Sequence, residues 1–342
     1  MKKIRLAVIG TGLAWERLHW PAMLELKDCY EVVALCNRTK SDAEKFAASI
    51  NLDKSNVYYN YEEMLRRDDI DAVDVLVPIP ENFEAAAAVL KAGKNLIAEK
   101  PMAATMDDAQ KLLTLHKKNP SLVMVAENYR YSDENNIIRN IITQGKIGEA
   151  VYFINNNVVD FKSEMKKDTF AATEWRQYPE YAGGTFLDAA LHDVAALRHI
   201  FGAVNTVYSL GRPQQEPYSP YMVFNMQIHF QNNVIGQYSY FCDGLETQKP
   251  VIGFRIFGTR GEVYLEDKTK GKIHVSYRDG TVEEISFIPG RGYYNELLNF
   301  YKAFNKQESV SVTPEIEIGD LKMIFDILKS IETGQPVKVD AS

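Results

Sequence analysis

Glu99, Lys100 and Pro101 follow the run Asn95-Leu96-Ile97-Ala98, where a buried strand would end. A proline restricts the residue before it to extended backbone, so Lys100-Pro101 marks a sharp exit from that strand. A lysine at the carboxyl end of a parallel strand can turn its ammonium into the crevice there and stabilise charge developing on a substrate oxygen. About ninety positions earlier, the strand Ile4 to Ile9 runs into Gly10-Thr11-Gly12. A glycine turn between a first strand and a helix suits a dinucleotide pyrophosphate. A third group, Asp188 and His192, is four residues apart on a predicted helix, which would put both on one face. There the carboxylate could orient the imidazole and the imidazole could exchange a proton. Glycine turn, strand-end lysine and carboxylate–imidazole pair together fit proton-coupled hydride chemistry.

Two kinds of chain texture must position these residues. Through residue 126, short apolar strands alternate with helices, the signature of a parallel sheet covered on both faces. Strands are expected at 4–9, 32–36, 57–58, 72–77, 95–98 and 122–126, with helices at 16–26, 40–50, 61–67, 83–92 and 106–118. Thr105 is expected to cap the last of these helices and Gly93 to end the one before it. After about Glu127, one helix (134–144), a strand (150–157) and a helix (185–201) lead into alternating strands at 222–230, 234–241, 251–257, 261–266, 272–277 and 281–287. Hairpin turns are readable at Gln231-Asn232-Asn233 and Arg278-Asp279-Gly280. Helices at 293–304 and 318–332 close the chain. The expectation is an α/β chain: a doubly wound parallel sheet over residues 1–126, then an α+β domain over 127–342 with a large, mostly antiparallel sheet.

The 342 residues carry a formal charge of −7, with 46% hydrophobic and 25% charged residues. That charge argues against nucleic acid or an anionic membrane as the main partner. Cys29, Cys36 and Cys242 have neither CxxC nor metal-ligand spacing, so buried thiols in a reducing compartment are expected. No signal-peptide hydrophobic region follows the N-terminus and no apolar run reaches eighteen residues, so a cytoplasmic location is expected. A metal reading through His192, Asp193 and His199 lacks open-site logic, and no metal is expected. His19, His116, His229 and His274 show no obvious partners in the sequence.

Gly10 would make the tight turn, Gly12 would let backbone approach the pyrophosphate, and Thr11 and Leu13 complete the contact. Trp15 stands where a small residue normally permits close helix packing, so it should either tilt the first helix outward or stack near the cofactor. At the end of the second strand, Asn37-Arg38-Thr39-Lys40-Ser41 offers no acid for a ribose hydroxyl. Arg38 and Lys40 would instead hold a 2′-phosphate, with Thr39 and Ser41 donating to it and Asn37 among the cofactor contacts, so NADP(H) is favoured and NAD(H) remains open.

The chain resembles the glucose–fructose oxidoreductase / inositol dehydrogenase / rhizopine catabolism (Gfo/Idh/MocA) family. The resemblance runs nearly end to end. It is carried by the glycine turn with His19-Trp20-Pro21-Ala22, the segment from Pro78, Glu99-Lys100-Pro101 and Glu127-Asn128-Tyr129-Arg130-Tyr131. It continues through Gly145-Lys146-Ile147-Gly148, Trp175-Arg176, Gly183-Gly184 with Asp188 and His192, and Glu332-Thr333-Gly334-Gln335-Pro336-Val337. The resemblance implies a Rossmann domain, an open-faced C-terminal sheet forming a homodimer or homotetramer, and a cis peptide before Pro101. It also implies reversible NAD(P)-dependent oxidation of a sugar, cyclitol or related polyol. Lys100 would bind the reacting oxygen, His192 would be the general acid/base, Asp188 would assist, and Pro78 and Glu99 would join the cofactor contacts. Tyr129, Arg130, Trp175, Arg176 and Tyr294 are candidate substrate contacts. Three positions depart from the family pattern: Trp15 replaces the third fingerprint glycine, Asn82 replaces a common histidine, and Ala190 replaces a glycine. Two other readings stay open, a non-catalytic NADP-binding sensor or co-regulator and an NAD-assisted glycosidase.

Overall fold

The computed structural model describes residues 1–245 and 253–339, apart from the side chain of Lys40. The expected strand start at Val251 therefore falls outside the described residues. The chain divides into two compact units, Met1–Asn128 with Tyr293–Ile318, and Tyr129–Gly292 with Gly319–Ser342. The expected division placed one boundary near residue 127. The return of Tyr293–Ile318 to the first unit follows from backbone and side-chain bonds: Tyr30 Oη donates to the Leu297 carbonyl at 2.5 Å, and Val125 N–H donates to the Val312 carbonyl at 3.0 Å.

The first unit is built on β1 (Ile4–Ile9), β2 (Tyr30–Cys36), β3 (Val57–Tyr58), β4 (Ala72–Val75), β5 (Asn95–Glu99) and β6 (Val123–Ala126). They form one parallel sheet in the order β3-β2-β1-β4-β5-β6. Its central strands are buried on both faces, which their near-continuous apolar sequences require. The order reverses between β1 and β4, and the crevice of such a sheet opens at the carboxyl ends on either side of that point. Thr105 caps its helix by accepting from the Asp108 N–H, as expected.

The second unit carries β7 (Ala150–Val158), β8 (Val204–Pro213), β9 (Tyr221–Phe230), β10 (Ile235–Phe241), β11 (Gly253–Gly258), β12 (Gly261–Leu265), β13 (Lys272–Tyr277), β14 (Val282–Ser286) and β15 (Val337–Lys338). Their order is β14-β13-β12-β11-β7-β10-β9-β8-β15, and β7 pairs in parallel with β10 while the other pairings are antiparallel. One face packs on helix Leu191–Phe201 through Phe153, Phe201, Phe230 and Phe254, whose rings meet at 5.0–6.2 Å. Strand β8 is absent from the sequence reading. A register shift between Val204 and Thr206 breaks its period of two, and Ser209 puts a polar residue on the buried face.

Helix Pro314–Thr333 holds the second unit by a charge cluster. Arg130 Nε donates to Asp320 Oδ2 at 2.9 Å, and Arg198 donates to Oδ1 of the same carboxylate. Gly319 makes room for this, since a Cβ there would lie 2.2 Å from the Arg198 guanidinium. Asp320 is fully buried and both arginines nearly so. Removing one partner of such a cluster leaves charge buried without compensation, so Asp320→Ala should cost about 3–5 kcal/mol in urea unfolding. A loss below about 1 kcal/mol, the size typical of an exposed pair, would show that the cluster contributes no more than surface charge.

Candidate active site

The glycine turn leaves β1 with Gly10 at φ +95°. A Cβ on Gly10 would lie 2.1 Å from the Leu76 carbonyl oxygen, so this position tolerates no side chain. Gly12 has nothing within 4 Å of its own Cβ position, which leaves the backbone open to an approaching ligand. Thr11 is buried, and its Oγ1 accepts from Asn37 Nδ2 at 2.8 Å. The turn after β1, which would hold the pyrophosphate of a dinucleotide, is thereby tied to the end of β2, which would hold its adenosine ribose. These residues fit the cofactor. Arg38 stands exposed beside them and donates to Glu81 at 3.0 Å. The Lys40 side chain lies outside the described residues.

Trp15 lies in the first unit, in the turn of helix that follows the glycine loop. It is fully buried, packed edge-on to Phe46 at 5.6 Å and tilted against Trp20 at 5.7 Å. The helix accommodates it by widening into a π-helical turn over Trp15–His19 before Trp20–Glu25 continues as α-helix. Such widened turns re-aim side chains. Here His19 points inward.

His19 is the residue that sequence reasoning missed. Its ring is wholly buried, with Nδ1 at 2.8 Å from Asp74 Oδ2 and Nε2 at 3.1 Å from Glu99 Oε1. Glu296 from helix Gly292–Phe304 adds a third carboxylate 3.9 Å from Nε2. Burial alone would drive the ring neutral, but the Asp74 charge and the hydrogen bonds to Asp74 and Glu99 hold its pKa well above the ordinary histidine value. Glu296 is itself wholly buried. Burial, with the charges of Glu99, Glu127 and Asp74, lifts its carboxyl pKa well above normal against the opposing pull of His19.

Lys100 follows β5 directly, and its peptide bond to Pro101 is cis. Its N–H donates to Glu99 Oε2 at 3.1 Å. Asn82 holds the same turn from below, donating to the Pro101 carbonyl at 2.7 Å and more weakly to the Glu99 carbonyl at 3.4 Å. Pro78 begins the short turn Ile79–Glu81 that delivers Asn82. Tyr294 belongs to helix Gly292–Phe304 of this unit.

In the second unit, Asp188 lies on a π-helical turn, Phe186–Ala190, and His192 on the α-helix that follows. The expected regular helical face is thus broken between them. Arg176 Nε donates to Asp188 Oδ2 at 2.6 Å, and the Arg176 guanidinium lies 3.9 Å from the Trp175 ring centre. The His192 ring stacks on Tyr129 at 4.6 Å, and the ammonium of Lys268 lies 3.7 Å from the other partner in that stack, the Tyr129 ring. Lys268 Nζ donates to Asp193 Oδ1 at 3.1 Å, while Asn157 and Tyr238 donate to Oδ2 at 2.6 and 2.8 Å. Burial alone would raise the Asp193 pKa, but Lys268 and these donors hold it below the ordinary value. Asp193 adjoins His192 in sequence, whereas Lys268 follows a strand far along the chain and gives no local signal. Arg130, expected at the substrate, is bound to Asp320 inside the unit.

Residues 4–127 match the family model described as an oxidoreductase family with an NAD-binding Rossmann fold, and residues 139–339 match its C-terminal alpha/beta domain. An uncharacterised protein of Saccharomyces cerevisiae is 30% identical over 99% of both chains. The 1,5-anhydro-D-fructose reductase of Ensifer adhaerens is 24% identical over 91% of both chains. An oxidoreductase of Thermotoga maritima, known as a crystal structure, superposes with a TM-score of 0.87 at 26% identity over 99% of both chains.

The raised Glu296 pKa has a direction for stability. The folded chain binds a proton that the unfolded chain releases above its ordinary carboxylate value of 4.5, so stability falls as pH rises through that value toward the folded one. Glu296→Gln removes this slope. Between about pH 5 and pH 8, the wild-type Tm should drop relative to the variant's; parallel curves would mean that Glu296 is ionised in the fold. With the glycine turn, the strand-end Lys100 and the two matched domains in place, the chain belongs to the Gfo/Idh/MocA family of NAD(P)-dependent oxidoreductases.

Proposed function

We propose that the protein moves a hydride between NADP(H) and a sugar, cyclitol or related polyol/carbonyl. The observation that carries this reading is within the first unit: the glycine turn after β1 and Lys100 after β5 leave the same carboxyl edge of one parallel sheet. That edge is where such folds hold a nicotinamide dinucleotide. When bound, the nicotinamide supplies or takes the hydride. Gly10, Thr11, Gly12 and Leu13 hold the pyrophosphate. Asn37 and Arg38 favour NADP(H), because no carboxylate ends β2 to accept from a free ribose hydroxyl. Lys100 donates to the reacting oxygen and stabilises it as charge develops. His192 takes that oxygen's proton on oxidation and returns it on reduction, with its ring held flat by Tyr129. Asp188 acts through Arg176, placing the guanidinium and Trp175 for a polar substrate. Tyr129, Trp175, Arg176 and Tyr294 are the proposed substrate contacts. The reductase relative of Ensifer adhaerens supports a sugar-derived carbonyl as the first substrate class to try.

The outer face of the second sheet supports assembly. Leu210 and Ile235 are more than half exposed on it, with Gln227, Ser239 and Asn225 between. We propose a homodimer or homotetramer through this face. Light scattering on the purified chain should give two or four copies; a monomer at micromolar concentration would reject the assembly.

The catalytic reading is tested by titrating the protein with NADPH and NADH, then screening sugars and cyclitols by absorbance of the reduced cofactor. NADPH should bind more tightly, and His192→Asn should lower kcat at least ~100-fold, the low end for a general acid/base, with cofactor affinity unchanged. Tighter NADH binding would reverse the cofactor assignment. Equal loss of kcat and cofactor affinity would remove His192 from proton transfer.

A further inference from the structure

The buried ring of His19 lies directly behind the strand end that carries Lys100. Both of its nitrogens face carboxylates, Asp74 Oδ2 at 2.8 Å and Glu99 Oε1 at 3.1 Å. A carboxylate can only accept, so a ring that satisfies both must donate from both. The second oxygen of Glu99 takes the Lys100 N–H at 3.1 Å. One carboxylate thus joins a fully buried ring to the backbone of the residue proposed to bind the reacting oxygen. Glu99 is the rim of the cluster, with its side chain 13% exposed against zero for His19, Asp74 and Glu296.

We propose that His19 is a positioning residue, which holds the Glu99 carboxylate against the Lys100 amide and so fixes where the Lys100 side chain leaves the strand. Its role depends on the groups around it on every side. Asp74 from β4 anchors the far nitrogen. Glu99 from β5 receives the near one. Glu296 and the Tyr293 ring, 5.9 Å away, close the pocket from helix Gly292–Phe304. Three carboxylates around one cation would bury a net charge of about −2, which a neutral Glu296 reduces; both of its oxygens lack a hydrogen-bond partner among the described residues. Burial raises the Asp74 carboxyl pKa as well, against the opposing pull of the His19 ring. Asn82 supports the carbonyl side of the same turn, so both the N–H of Lys100 and the carbonyl of Pro101 are held by side chains.

The inference rests on the proposed role of Lys100, but its test needs neither cofactor nor substrate. Hydrogen–deuterium exchange on the full chain should read the Lys100 amide in peptides covering residues 96–104. Glu99→Ala removes the acceptor and sets the rate of the released amide. His19→Leu should speed Lys100 exchange toward that rate, about tenfold or more, the effect of losing one hydrogen bond to a charged acceptor. Peptides from β1 and β2 should exchange as in the wild type, and the double variant should be no faster than Glu99→Ala. Should His19→Leu fail to fold, nitrogen NMR of the wild-type ring decides: both ring nitrogens should carry protons at pH 7.5. Wild-type exchange at Lys100 in folded His19→Leu, or a singly protonated ring at that pH, would overturn the proposal. Either result leaves the cofactor titration and the His192→Asn kinetics to judge the oxidoreductase reading independently.

Discussion

Everything at the carboxyl edge of the first sheet depends on one close approach, that of Gly10 to the carbonyl of Leu76. The Gly10 N–H donates to the Cys36 carbonyl at the end of β2, and the Leu76 N–H donates to the Ile9 carbonyl at the end of β1. Three strand ends therefore meet at one residue that cannot carry a side chain. Their convergence brings Thr11 and Asn37 together and lets Pro78 lead off the next strand. A methyl group at Gly10 would push β4 away from β1 and separate the elements that frame the crevice.

Each unit then meets the same electrostatic difficulty in a different way. In the first, acids outnumber cations around His19, and the raised Glu296 pKa lessens the imbalance. In the second, Asp193 is matched by Lys268 and two neutral donors, while Asp320 is shared between two arginines. Buried charge is costly wherever it is unpaired. The three clusters lie beside or behind residues proposed for chemistry, so their expense accompanies the fixing of Lys100, His192 and the helix that carries Asp320.

Much of the fold was legible because its signals are local and periodic. Strands β1 and β13 have the bounds that their apolar patterns predict, and Thr105 caps where a threonine before two aspartates should. The first helix was harder. Its periodicity is that of an α-helix, and the π-helical widening exists to bury Trp15, a packing demand from Phe46 on a distant helix. Strand β8 hid behind a bulge and a buried serine. Lys100, Asp188 and His192 could be picked out by residue type and spacing, yet Asp188 turned out to hold Arg176, which no spacing rule foretells. His19 had no legible partners because they come from β4, β5 and a helix that begins at Gly292.

Asn82 stands where the family often has a histidine, and this exchange has a chemical consequence. An amide has no proton to gain or lose near neutrality, so its bonds to the Pro101 and Glu99 carbonyls are the same in acid and in mild base. On the opposite side of the turn, Asp74 and Glu99 hold the His19 pKa well above the ordinary histidine value, against the pull of burial. The backbone bearing Lys100 thus has on one side an amide that does not titrate and on the other an imidazole whose protonated form the fold favours. A raised folded pKa at His19 means that deprotonating this ring comes more easily to the unfolded chain than to the folded one, so the support behind Lys100 weakens only at higher pH than a free imidazole would suggest.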